Sequence, residues 1–88
     1  MTKMFVSHLV ADFETWKAAF DSMHNLRADY GCVGEHIYRG LQNPNEILIV
    51  TEWPGKQEAL RYGQSNDLKE GMQKAGVISA PAIHFSEN

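Results

Sequence analysis

In two stretches of this chain apolar residues fall at consecutive positions and not only at alternate ones. Met4-Phe5-Val6-Ser7-His8-Leu9-Val10 and Ile47-Leu48-Ile49-Val50 carry apolar side chains at consecutive positions. Successive side chains of a strand point to opposite faces, so both segments would bury residues on two sides of a sheet. One layer of helices covers only one side. A second copy of the same sheet, stacked about 10 Å away, is the simplest cover for the other, and the pattern therefore predicts a homodimer through the sheet face.

Between these strands the period changes. Phe13, Trp16, Phe20, Met23, Arg27 and Tyr30 recur every three or four residues, with Ala19 and Leu26 widening the stripe. This predicts one long amphipathic helix, capped by Asp12 and stopped by Gly31. Val33 to Arg39 alternates as a second strand, Gly40 to Asn45 is a turn rich in Gly, Asn and Pro, and the third strand runs from Glu46 to Trp53. After Pro54-Gly55, a helix over Gln57–Tyr62 is interrupted at Gly63 to Asn66. It resumes on Leu68, Met72 and Ala75 and ends at Gly76. A weaker strand, Ile78 to Phe85, carries Pro81, which suits an edge. The order β-α-β-β-α-β predicts an α+β, ferredoxin-like domain spanning 1–88, with a four-stranded antiparallel sheet in spatial order 4-1-3-2 and the helices on one face.

Composition narrows the function classes. Of the 88 residues, 43% are hydrophobic and 22% charged, an ordinary balance for a folded domain. A net charge of -3 with the eight Lys and Arg dispersed leaves no cationic stripe for a phosphate backbone, so no nucleic-acid partner is expected. The apolar run after Lys3 is short, contains Ser7 and His8 and is followed by acidic residues, unlike a signal peptide, and no stretch approaches a membrane span. A soluble, cytoplasmic protein without a membrane partner is the expectation. Cys32 is alone and reads as a small buried hydrophobe.

The segment Val6-Ser7-His8-Leu9-Val10-Ala11-Asp12-Phe13 leading into Trp16 and Phe20, together with Asn43-Pro44-Asn45-Glu46, Glu52-Trp53 and Leu68 to Val77, resembles the dimeric α/β barrel superfamily. The likeness is to its small antibiotic-biosynthesis-monooxygenase-like and cyclase-like members, and it spans nearly the whole chain. It implies a ligand cavity in each subunit between helices and sheet. Some such proteins are oxygenases without a cofactor, in which the deprotonated aromatic substrate itself supplies the electrons. Others are polyketide cyclases. The resemblance thus implies an oxygenase or cyclase acting on an aromatic or polyketide-like molecule, with no cofactor; a non-catalytic binding or accessory dimer is the alternative.

Four histidines carry the candidate chemistry. His8 and His84 fall on strands 1 and 4, antiparallel neighbours in the expected order, so their rings would meet if the register allowed. An imidazole near its ordinary pKa of about 6.5 can take a proton from a phenol or an activated C–H. His8 is the candidate general base, with His84 or Tyr62 as orienting or proton-returning partner. Trp16, Phe20, His36 and Trp53 are candidate substrate-binding residues, the aromatics serving equally to fill a core. Arg27, on the apolar stripe, needs an anion: either a ligand's phenolate or carboxylate, or Glu35, Glu52 or Asp29 in an ion pair. His8, His84 and Glu52 show none of the recognised zinc spacings, so no metal is expected.

Overall fold

Eight elements follow one another in a computed structural model that describes residues 1–87: β1 (Thr2–Leu9), α1 (Phe13–Ser22), α2 (His24–Asp29), β2 (Gly34–Arg39), β3 (Glu46–Trp53), α3 (Lys56–Gly63), α4 (Asn66–Lys74) and β4 (Ala82–Glu87). The strands form one sheet in the order β2-β3-β1-β4, with every neighbouring pair antiparallel. This is the ferredoxin-like arrangement anticipated from the patterning.

Local chemistry explains the boundaries. Asp12 caps α1, its carboxylate accepting from the Thr15 amide at 2.9 Å and the Thr15 hydroxyl at 2.8 Å. The expected single long helix breaks at Met23. There the Ser22 hydroxyl donates to the Ala19 carbonyl at 2.7 Å, and the Phe20 carbonyl accepts from the Met23 amide at 3.1 Å and from Arg27 Nη2 at 2.8 Å. Side-chain donors thus compete with the helical ladder at that turn, which tightens it. Gly31, at φ 107°, ends α2 in the left-handed region that glycine tolerates. Ser65 caps α4 by accepting from the Leu68 amide at 3.1 Å.

The β2–β3 hairpin closes through Gly40 N–H to the Glu46 carbonyl at 2.8 Å and Glu46 N–H to the Asn43 carbonyl at 3.0 Å. β4 starts later than expected, at Ala82. Ile78 lies before it, donating its amide to the Leu9 carbonyl at 2.9 Å, and Pro81, lacking an amide donor, separates this contact from the strand proper.

The register assigns each side chain to a face. Met4, Val6, His8 and Val10 on the β1 side, and Ile47, Ile49, Thr51 and Trp53 on β3, are buried toward the helices. Trp16, Ala59, Tyr62 and Ala75 come down from the helical layer to complete the core. The opposite face carries Phe5, Leu9, Leu48 and Val50 in its centre, with His36, Tyr38 and His84 on the flanking strands. On that face Leu48 remains 38% and Tyr38 55% exposed. The consecutive apolar residues therefore do divide between two faces, one buried under helices and one uncovered in the single chain.

Candidate functional site

Between the sheet and the helices lies an apolar cavity of about 50 Å³, which reaches about 480 Å³ when the open space at its mouth is counted. The site is a narrow slot. Its floor is Met4, Val6 and His8 of β1 with Ile49 and Thr51 of β3, and its roof is Trp16, Phe20, Met23, Arg27, Tyr62, Leu68, Gly71, Met72 and Ala75. Four polar side chains, His8, Arg27, Thr51 and Tyr62, interrupt a lining that is otherwise apolar, the usual composition of a small-molecule site.

His8 is 5% exposed, and its Nδ1 is buried without a hydrogen-bond partner. Its ring meets Trp16 edge-on, with centroids 5.9 Å apart, and Trp16 in turn stacks on Phe20 at 5.1 Å. Burial pushes the His8 pKa below its ordinary value; the carbonyl of its own backbone offsets part of this, although no group meets Nδ1 at bonding geometry. The imidazole is therefore neutral near neutral pH, and the ring that lines the cavity carries a buried polar atom without a mate. An orphaned atom of this kind is uncommon in a native core.

Arg27 is also buried, but its charge is already met. Nε pairs closely with Glu35 Oε2, Nη2 donates to the Phe20 carbonyl at 2.8 Å, and the guanidinium lies 3.6 Å over the Phe20 ring. Burial pushes the Glu35 carboxyl up, yet the hydrogen bonds from Arg27 and from His24, at 3.0 Å, outweigh it and hold the carboxyl below its usual range. Of the two roles the sequence left open for Arg27, the intramolecular ion pair is the one formed. Arg27 shapes the wall with its charge matched by Glu35.

Tyr62 packs on Trp53, with centroids 5.2 Å apart, and edge-on against Tyr30 at 5.3 Å. Burial raises its pKa against the opposing pull of Arg27, so the phenol keeps its proton at neutral pH and is a hydrogen-bond donor. Trp53 is fully buried behind Tyr62, outside the cavity wall, with its indole N–H donating to Thr51 Oγ1 at 2.9 Å. It supports the site without lining it.

The structure separates residues that the sequence reading grouped. His84 pairs with Phe5, an odd-numbered position of β1, and therefore sits on the uncovered face, whereas His8 faces the helices. The two imidazoles do not meet, and His84 is no partner of His8. His36 lies on the uncovered face as well, exposed, with Nε2 3.3 Å from Glu52 Oε1, and lines no part of the cavity. The expected set contracts to His8, Trp16, Phe20, Arg27 and Tyr62. Thr51, Met23 and Met72 were missed, although Thr51 left a signal as the lone hydroxyl in the core-facing series Ile47, Ile49, Thr51 and Trp53.

Known proteins share this architecture. A protein of Bordetella bronchiseptica that carries the name antibiotic biosynthesis monooxygenase superposes with a TM-score of 0.80 at 19% identity, over 99% of this chain and 95% of its own. A Nitrosomonas europaea protein of the same name gives 0.75 at 12% identity, covering 100% and 98%. SnoaB, a cofactor-independent oxygenase from Streptomyces nogalater, gives 0.75 at 12% identity, covering 99% and 93%. At these identities the likeness concerns the fold. No curated protein matches the chain. The model of the antibiotic biosynthesis monooxygenase family matches residues 11–74, which includes the helices and the β2–β3 hairpin but neither β1 nor β4, and the chain belongs to that family.

Proposed function

We propose that this protein is an enzyme without a dissociable cofactor that takes a small hydroxyarene into the slot and starts its oxidation by removing a proton at His8. The observation that carries this reading is His8 Nδ1, buried, unpartnered and set against the Trp16–Phe20 stack. A neutral imidazole in an apolar site is a competent base for a phenol, and the aromatic lining suits a flat ring. For a naphthol the balance is simple: the hydroxyl proton goes to His8, the electron-rich ring passes electrons to O2, and a ring C–H becomes a carbonyl. One naphthol and one O2 give one naphthoquinone and one water. Tyr62, held as a neutral phenol, is the donor available to the reduced oxygen. Support from outside the chain is the family membership and the cofactor-independent oxygenase among its structural neighbours.

The slot favours one or two rings. Met4, Met23 and Met72 in its wall are unbranched and can repack to admit them. Ring closure of a polyketide-like chain would begin with the same proton abstraction, and the two reactions are separated by whether O2 is consumed. We further propose that a twin subunit covers the face bearing Phe5, Leu9, Leu48 and Val50, since an open apolar sheet face on so small a domain is costly to leave in water. Sedimentation at micromolar concentration should give twice the mass of one chain.

The test of the function is oxygen uptake with naphthol as substrate, paired with binding by tryptophan fluorescence. The expected result is saturable binding, one O2 consumed per quinone formed, and loss of turnover with retained binding in His8→Gln. Binding without turnover in the parent chain would favour a carrier, and unchanged turnover in His8→Gln would remove His8 from the chemistry.

A further inference from the structure

The cavity does not end at its roof. Outside the helical layer, a surface cleft lined by Ser22, Met23 and Leu26 on one side and Glu70, Gly71 and Lys74 on the other runs between the α1–α2 junction and α4. The inner slot and this outer cleft share two lining residues, Met23 and Gly71, and these two touch. A β-carbon placed on Gly71 would lie 2.5 Å from Met23 Sδ and 2.6 Å from its methyl carbon, closer than real contacts come. The thioether therefore occupies the space that any side chain at position 71 would take. The slot and the outer cleft therefore adjoin at this one contact.

From this arrangement we infer that Met23, seated in the notch of Gly71, is the gate through which ligand passes from the outer cleft to the cavity, and so sets the rate and the size limit of access. Three features of the molecule make Met23 suited to that role. It stands at the break between α1 and α2, with backbone angles outside the helical range (φ -96°, ψ 7°), so its side chain is not locked into a continuous helical ridge. Its three side-chain torsions and soft sulfur let it leave and refill the notch at little packing cost. The facing helix supplies the seat with no side chain of its own, because Gly71 is the one buried residue of α4. Glycine inside a helix is disfavoured relative to alanine, and the room it provides for Met23 is the physical reason for its presence there.

This inference deepens the proposed function by naming how substrate reaches the slot, and rests on that cavity being the binding site. The test measures passage alone, with no turnover: stopped-flow binding of naphthol followed through tryptophan fluorescence, in the parent chain, Met23→Ala, Gly71→Ala and the double variant. Removing the gate should raise association and dissociation rates together, each by about tenfold or more, with any change in affinity from the lost wall contact smaller than the change in either rate. Gly71→Ala should dislodge the thioether and also speed association. In the Met23→Ala background the same change should add nothing, because the two residues act through one contact. Rates in Met23→Ala equal to those of the parent, or a loss of affinity carried by dissociation alone, would overturn the gate while leaving the cavity reading intact. Absence of saturable binding in every chain would overturn both.

Discussion

An unpartnered histidine kept in an apolar cavity should lower stability, and His8 tests this directly. Replacing His8 by Leu removes the unpartnered buried Nδ1, whose desolvation costs about 1–3 kcal/mol. It also removes the edge-on contact with Trp16, worth about 0.5–1.5 kcal/mol. The net expectation is a gain of about 1 kcal/mol, which for a domain of this size raises Tm by about 4–8 °C. The gain should depend on pH. Because burial lowers the His8 pKa in the folded chain, the unfolded chain binds the proton more tightly, and the parent loses stability as pH falls below the unfolded value of about 6.5. At about pH 5.5 this loss reaches at most about 1.4 kcal/mol, and it stops growing below the folded pKa. Comparing urea unfolding of His8→Leu with the parent at several pH values isolates this contribution, since the other histidines are common to both chains. The variant should be the more stable, increasingly so toward acid, and without turnover. A loss of more than about 2 kcal/mol at neutral pH, or a gap that does not widen in acid, would mean that His8 is a satisfied structural residue.

Other residues yield sharper single outcomes. Thr51→Val keeps the shape of the side chain but strands the Trp53 indole N–H, and chemical denaturation should show a loss of about 1–3 kcal/mol. Glu35→Ala leaves the Arg27 charge buried without its carboxylate and should cost about 3–5 kcal/mol, whereas changing Arg27→Met and Glu35→Leu together should cost much less; equal losses would refute the ion pair as the source. Leu48→Lys, in the middle of the uncovered sheet face, should halve the sedimenting mass while leaving the circular dichroism of the fold unchanged, and a mass unaffected by the change would place any dimer contact elsewhere.

The fold was legible because it is written in periodicities. The alternation through Val33 to Arg39 and the Gly-Asn-Pro turn each specify an element from local chemistry alone, and the three-and-four spacing from Phe13 to Tyr30 specifies helix but not the break within it. What local chemistry does not specify is parity between strands. Whether His84 meets His8 depends on a one-residue choice of register, and that choice is made by the passage from Val77 through Pro81, where Ile78 pairs with Leu9 before β4 begins. One residue's shift reverses the face. The break at Met23 was hidden for a similar reason: the apolar stripe continues across it, and the competing donor to the Phe20 carbonyl comes from Arg27, two turns away. Residue types were enough to nominate His8, Trp16, Phe20, Arg27 and Tyr62. Only the folded chain shows that Glu35 occupies the charge of Arg27 and that nothing occupies His8 Nδ1.

The most direct measurement of the account is nitrogen NMR of the His8 imidazole during titration with naphthol near neutral pH. The ring should be neutral in the free protein, and its resonances should move as the phenol fills the slot and bonds to it, with the naphthol protons shifted by the adjacent Trp16 ring. Saturation of the protein with naphthol while both His8 nitrogens keep their free-state positions would contradict the claim that this histidine receives the substrate's proton.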